Sequence, residues 1–429
     1  MTPIREALRG AVVAISLCGP FATPVVGAAA ATLALAGPVL AQESVKIAFI
    51  DPLSGGGAPT GEAGLRHFQY MAEVLNARQK QFRFEVLAYD NKVNPQETLI
   101  AAQKGIDAGA RVLVQGNGSS AAAALTDFVA KHNERNPTRQ VIYINYSAVD
   151  PSLTNEKCNY WHFRFDANSD IKMEALTNFM KTRPEIKKVY LINQDYSFGQ
   201  SVRSQARAML KVKRPDIEIV GDEVTPLQKV NDFSPYIAKI KASGADAVIT
   251  GNWAQDINLL LKAAAEAGLQ AGFYTYYAGG TGGPSVVRQT GLAHRVFEVS
   301  QGAANEGDAA AQDFETAFRA RTGIGSTYPR AFNAMNALLT AMQEAGSSEA
   351  RKVAPKLENA RLKPYIGSEG TMRPDDHQYF QTMFVHSFGP MEPGMRFDEE
   401  GTGWGWKMVG RVEAKDTLLP TTCRMERPS

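Results

Sequence analysis

The sequence predicts an α/β fold of two doubly wound, parallel-sheet lobes. Two observations carry this. Short apolar runs alternate with stretches of helical periodicity, as in sheets covered by helices on both faces. The fourth such strand is reached by residue 144, and the alternation starts again with a new helix at Ser169. A length of 429 residues leaves room for two lobes, each with its own core.

The first series reads in order. Residues 45–50 form an apolar run ending at Asp51-Pro52, followed by the glycine-rich turn Ser54-Gly55-Gly56-Gly57 and by Gly61. Leu65, Phe68, Met71, Ala72 and Leu75 then recur at helical spacing. Residues 82–88 alternate as a strand, and Pro95 opens a helix to Ala108. Residues 112–114 are a strand leaving through Gly116-Asn117-Gly118, with Ser119-Ser120 starting an Ala-rich helix. Residues 141–144 are the fourth strand, leaving through Asn145-Tyr146-Ser147-Ala148. In the second series, strands are predicted at 189–192, 217–220, 247–250, 273–276 and 296–299. Helices run from Ser169 to Lys181, up to Leu210, and over 233–242 and 257–267. Helices at 310–321 and 330–345 remain and need a sheet to pack on. Residues 401–409, with Trp404 and Trp406 alternating, read as a strand packed on the second lobe, not as part of a binding site.

Composition excludes several classes. With 44% hydrophobic and 21% charged residues, 37 Gly and 22 Pro, the chain is neither collagen-like nor a disordered tail. The 46 basic and 44 acidic residues are mixed along the chain, so there is no electrostatic footprint for nucleic acid. Arg5 and Arg9 precede an uncharged, Ala/Val/Leu-rich stretch to Leu40, and Val39-Leu40-Ala41 offers a small-residue cleavage site. This reads as a secretory signal over residues 1–41, cut after Ala41. Prolines and glycines interrupt the run, against a continuous spanning helix, and Leu17 before Cys18 argues against a lipoprotein. Cleavage leaves Cys158 and Cys423, expected to pair in an oxidising compartment and pin the tail to a mid-chain loop.

Enzyme motifs fail one by one. Glu62 stands where a phosphate loop starting at Gly56 needs lysine, and Thr60 where a dinucleotide fingerprint needs its third glycine. There is no GxSxG elbow. Asp90 reads as a loop cap, and His377 and His386 as packing residues. No Cys/His cluster has zinc spacing, and no cofactor is expected. An exported enzyme would need a coupled pair such as Asp195 with His162. Ligands of doubly wound sheets sit beyond the carboxyl ends of the strands. The candidate residues therefore lie at the exits, which here are small, polar or aromatic. The sequons at Asn117 and Asn145 would put sugars in that cleft and read as accidental.

The segments IAFIDPLSGGGAPTGEAG (47–64), LAYDN (87–91), QGNGSSAAA (115–123), YSAVDPSLT (146–154), NQDYSFGQS (193–201) and ADAVITGNWAQD (245–256) resemble the periplasmic leucine/isoleucine/valine-binding proteins, type I receptors of ABC importers. The resemblance implies three crossings between lobes, placed near Asp166, Gln301 and Thr371. That gives one lobe of 42–166 and 301–371 and another of 167–300 and 372–429, and it houses the two leftover helices. It implies membrane permease subunits as partners and a hydrophobic amino acid or related carboxylate as ligand; a monomer is expected. Ser119, with Gly118 before it, matches the carboxylate-binding serine, and helix N–H groups there favour an anion independently. Ser147, Ala148 and Val149 match a second polar loop, Val149 through backbone only because the family has Thr there. Thr60 stands where the family has a stacking Tyr, and the second-lobe aromatic falls at Asn252-Trp253. Tyr276-Tyr277-Ala278-Gly279-Gly280 lacks the family's ammonium-binding acid. Either the ligand has no α-amino group and stacks on Trp253, Tyr276, Tyr146 and Tyr196, or Asp195, Asp256 or Glu62 supplies the acid. A ligand sensor of the same fold stays open beside the importer.

Overall fold

A computed structural model describes residues 42–367 and 369–428. The predicted signal lies outside the described residues.

The first sheet holds β1 (Glu43–Asp51), β2 (Phe82–Asp90), β3 (Val112–Gln115), β4 (Ile142–Asn145) and β5 (His162–Arg164), with α1 (Ala58–Arg78), α2 (Pro95–Asp107) and α3 (Ser119–Arg135) in the connections. Its order is β2-β1-β3-β4-β5, and every pair is parallel. A right-handed crossover returns over a sheet face, so the inner strands β3 and β4 are buried at every position, while the edge strand β2 alternates buried and exposed residues at its start. Asn94 starts α2 by accepting from the N–H groups of Gln96 and Glu97.

The second series gives α4 (Ser169–Met180), β6 (Lys188–Gln194), α5 (Ser197–Lys213), β7 (Glu218–Thr225), α6 (Ser234–Ser243), β8 (Ala247–Thr250), α7 (Gln255–Glu266), β9 (Gly272–Thr275), α8 (Gly283–Thr290) and β10 (Val296–Ser300). The chain continues through α9 (Ala309–Thr322), α10 (Pro329–Ala345), α11 (Ala350–Leu357), β11 (Arg361–Leu362), β12 (Gly370–Met372), β13 (Tyr379–Gln381), β14 (Met383–Pro390) and β15 (Trp404–Val412). The second sheet runs β15-β14-β10-β9-β8-β6-β7, with β14 and β15 antiparallel. β11, β12 and β13 form a small antiparallel sheet.

The helices α9, α10 and α11 pack on the first sheet: Phe318, Phe332, Leu338 and Val353 share a core with Phe49 and Tyr143. The chain thus leaves this core after β5 and returns to it after β10. Its last passage falls between Tyr379, in the first core, and Phe380, in the core of the second sheet. After β15 the tail crosses once more. Thr421 and Thr422 bond to Asn155, Met425 packs on the first core, and Cys423 is disulfide-bonded to Cys158.

Gly61 lies in the first turn of α1, against the exit of β1. A Cβ there would sit 1.8 Å from the Pro52 carbonyl oxygen. Gly199 repeats the device at the exit of β6, 1.9 Å from the Gln194 carbonyl oxygen. These glycines let the helix close down on the strand end that carries the site. Gly61→Ala is expected to lower stability by about 1–3 kcal/mol, since backbone must move to admit the methyl; chemical denaturation with an unchanged m-value would show it.

Candidate functional site

Strand exits of both sheets converge on one cavity of about 1000 Å³, open mouth included. From the first sheet come Thr60, Gly118, Ser119, Ser147, Ala148 and Val149; from the second come Tyr196, Trp253, Tyr276 and Tyr277. Asn252 is the exception among the residues predicted: it is fully buried beside Trp253, turned into the lobe, and does not line the cavity. Tyr146 is also displaced from the expected ring-stacking role. It is fully buried in the first core, where its hydroxyl donates to Asp51 at 2.5 Å.

The anion-favouring corner is built from Asp51 upward. Asp51, at the end of β1, accepts from the Gly116 N–H at 3.3 Å and from the Asn117 N–H and Nδ2 at 2.8 and 3.0 Å. Burial raises its pKa to about 7, against these donors. Asp51 thereby shapes the loop that feeds α3. Gly118, at φ 96°, caps α3 without a side chain. The first-turn N–H groups of α3 therefore have no side-chain cap, and Ser119 Oγ stands among them at the cavity wall. Across the corner, Asn145 Oδ1 accepts from the N–H groups of Ser147 and Ala148, which fixes the β4 exit. The Val149 N–H has no hydrogen-bond partner among the described residues. Asn117 and Asn145 are buried in these roles, so neither sequon can carry a sugar.

The aromatic wall is locked from behind. Trp253 Nε1 donates to the Tyr196 hydroxyl at 2.8 Å, and Tyr276 donates to the Ser169 carbonyl at 3.0 Å. Tyr277 donates to Asp166 at 3.1 Å and reaches the Ser147 carbonyl at 3.5 Å, tying the second sheet's loop to the first. Trp406, read from sequence as packing alone, also lines the cavity.

Sequence reasoning missed the charged groups. Asp166, with no exposed surface, sits where the chain first leaves the core of the first sheet. It pairs with Lys172 of α4 at 3.0 Å and with Arg330 of α10 at 3.1 Å. Both cations line the cavity and are nearly buried. Arg330 also donates to the Tyr146 carbonyl at 2.6 Å and to Ser147 Oγ at 3.1 Å. Burial lowers the Lys172 pKa, with Asp166 opposing. The three acids suggested by sequence are not in the cavity. Asp195 is exposed and accepts from Gln200, Asp256 is buried against Gln194 and Gln228, and Glu62 is exposed. Two other carboxyls line it, Glu298 of β10 and Glu399. The pair that an exported enzyme would need is not formed: His162 faces Asn145 in the first sheet while Asp195 sits at the exit of β6.

A family model described as periplasmic binding protein matches residues 44–388. The chain is 32% identical over 414 residues to the Leu/Ile/Val-binding protein homolog 4 of Brucella abortus, covering 94% of this chain and 98% of the relative. It belongs to the periplasmic leucine/isoleucine/valine-binding protein family. Members of this family are solute-binding proteins, not enzymes, and serve ABC transporters. The crystal structure of a leucine-, isoleucine-, valine-, threonine- and alanine-binding protein from Brucella ovis, in a closed conformation, superposes with a TM-score of 0.80 at 30% identity, covering 90% of this chain and all of that one. A solute-binding protein from R. palustris in complex with benzoate shares the fold, with a TM-score of 0.74 at 17% identity over 86% of this chain and 97% of its own. Among the described residues, no helix of this family member is long and apolar enough to cross a membrane.

Proposed function

We propose that this protein captures a small carboxylate-bearing solute of the hydrophobic amino-acid class in the periplasm and delivers it to an ABC permease. The signal is removed near Ala41. The lobes close on the solute about the passages near Asp166, after β10 and before β14. The α3 corner carries this reading. Its N–H groups and the Ser119 hydroxyl suit a carboxylate, while Trp253, Tyr196, Tyr276 and Tyr277 suit an apolar side chain. The names of the Brucella relatives, which include leucine, isoleucine and valine, agree with it. No bond is made or broken. Closure needs only that the ligand prefer the closed state, and a micromolar site supplies about 8 kcal/mol in all.

Calorimetry with leucine, isoleucine, valine and benzoate tests the reading. At least one branched-chain amino acid binds the wild type, and Ser119→Ala weakens it roughly 10- to 100-fold, the worth of a hydrogen bond to a charged group. An unchanged affinity in Ser119→Ala would remove the carboxylate from this corner. A second reading, an aromatic acid without an amine, is favoured by the aromatic wall; benzoate binding more tightly than leucine would establish it.

A further inference from the structure

The cavity wall contains a carboxyl with no ion-pair partner among the described residues. Glu298 lies near the end of β10, beside Thr275 of β9 and His386 of β14 in the sheet register. One of its oxygens accepts from the Gly279 N–H. The other makes no hydrogen bond among the described residues, and Glu298 forms no ion pair there. The charged groups around it are already committed. Lys172 and Arg330 are held by Asp166, and His386 spends one ring nitrogen on Glu306 at 2.5 Å and the other on Ser300 at 3.1 Å. Glu399, the other carboxyl of the cavity, is paired with Arg319. A carboxyl lining a binding cavity with one donor and no ion-pair partner calls for an explanation.

Counting charge supplies one. Lys172 and Arg330 exceed Asp166 by one positive charge. With Glu298 ionised the group of four is neutral; with Glu298 protonated it carries one net positive charge. We propose that Glu298 is the specificity-determining residue for the ligand's amine: as a carboxylate it receives an α-ammonium group, and as a neutral acid it admits an amine-free carboxylate. This rests on the reading of the cleft as a carboxylate site and deepens it.

The direction of the pH effect follows. Burial raises the Glu298 pKa to about 7, opposed by the Gly279 N–H and by Lys172, His386 and Arg330. An ammonium ligand needs the ionised form, so its affinity rises with pH up to about 7 and then levels, with proton release. An amine-free acid favours the protonated form, so its affinity is level below about pH 7 and falls above it, by up to about tenfold per unit, with proton uptake.

The test is calorimetry on the full mature protein with leucine and with 4-methylpentanoate, the same skeleton without the amine, between pH 6 and 8 in two buffers of different ionisation enthalpy. Opposite pH slopes and opposite proton counts are expected for the two ligands in the wild type. In Glu298→Gln, leucine should weaken on the order of 100-fold, 4-methylpentanoate should keep at every pH the affinity that the wild type shows at about pH 6, and both slopes should vanish. Parallel slopes in the wild type, a slope surviving in Glu298→Gln, or an unchanged leucine to 4-methylpentanoate ratio in that variant would overturn the proposal. The wild-type slopes decide the matter even if the variant does not fold. Failure of the wild type to bind either ligand would instead sink the carboxylate reading, and this inference with it.

Discussion

Asp166→Asn is expected to destabilise the protein by about 3–5 kcal/mol, the usual consequence of removing one partner from a buried ionic cluster. The carboxylate is wholly buried and faces Lys172 at 3.0 Å, Arg330 at 3.1 Å and the Tyr277 hydroxyl at 3.1 Å. Replacing it leaves two cations in a poorly hydrated wall without the carboxylate that pairs with both. Lys172 would respond first, since burial already depresses its pKa. The partners come from α4, α10 and the loop after β9, so the same substitution loosens the contact between the two halves. Urea unfolding measures the loss. Adding Lys172→Met to Asp166→Asn should recover part of it, because one uncompensated cation is gone. A double variant as unstable as the sum of the two singles would show that the cluster is not coupled as described.

The path from sequence to this cluster explains what could be read and what could not. Ser119, Ser147, Tyr196 and Trp253 were legible because a doubly wound sheet places its strand exits together, and exits are visible as the residues just past an apolar run. Asp166, Lys172 and Arg330 carry no such mark. A Lys or Arg inside a helix ordinarily faces water, and these three meet only because the chain returns to the first core after β10. Glu298 did leave a trace, as an acid set among Val296, Phe297 and Val299, but alternation alone does not say which face of the strand looks into a cleft. Asn252 failed for the converse reason. It adjoins Trp253 at the exit of β8, and the turn there sends one side chain outward and the other into the lobe. The strands β11, β12 and β13 are two or three residues long, too short for any periodicity to register. Trp406 was read correctly as lying in a strand of the second sheet, yet the same residue also reaches the cavity.

Cys423→Ser is expected to lower stability by about 2–5 kcal/mol. The bond to Cys158 spans 265 residues, so in the unfolded chain it closes nearly the whole length from the exit region of β4 to the tail. Loop-closure entropy for a ring of that size gives about 5–6 kcal/mol, an upper value because unfolded chains retain some compactness. The native tail has other holds that survive the substitution. Arg373 donates to the Leu419 carbonyl at 2.7 Å, Thr421 donates to the Thr154 carbonyl at 2.9 Å, and Arg427 pairs with Glu358. The native state should therefore keep its shape, and the loss should appear as a lower denaturation midpoint with a larger m-value, since the unfolded chain can expand once the ring is open. The tail runs from β15 of the second sheet to the first core, so under the proposed lobe closure the bond would limit how far the two halves part. Small-angle scattering of the ligand-free protein should then give a larger radius of gyration for Cys423→Ser than for the wild type, and the two should coincide when ligand is bound. Equal radii without ligand would mean that the three other passages alone fix the opening.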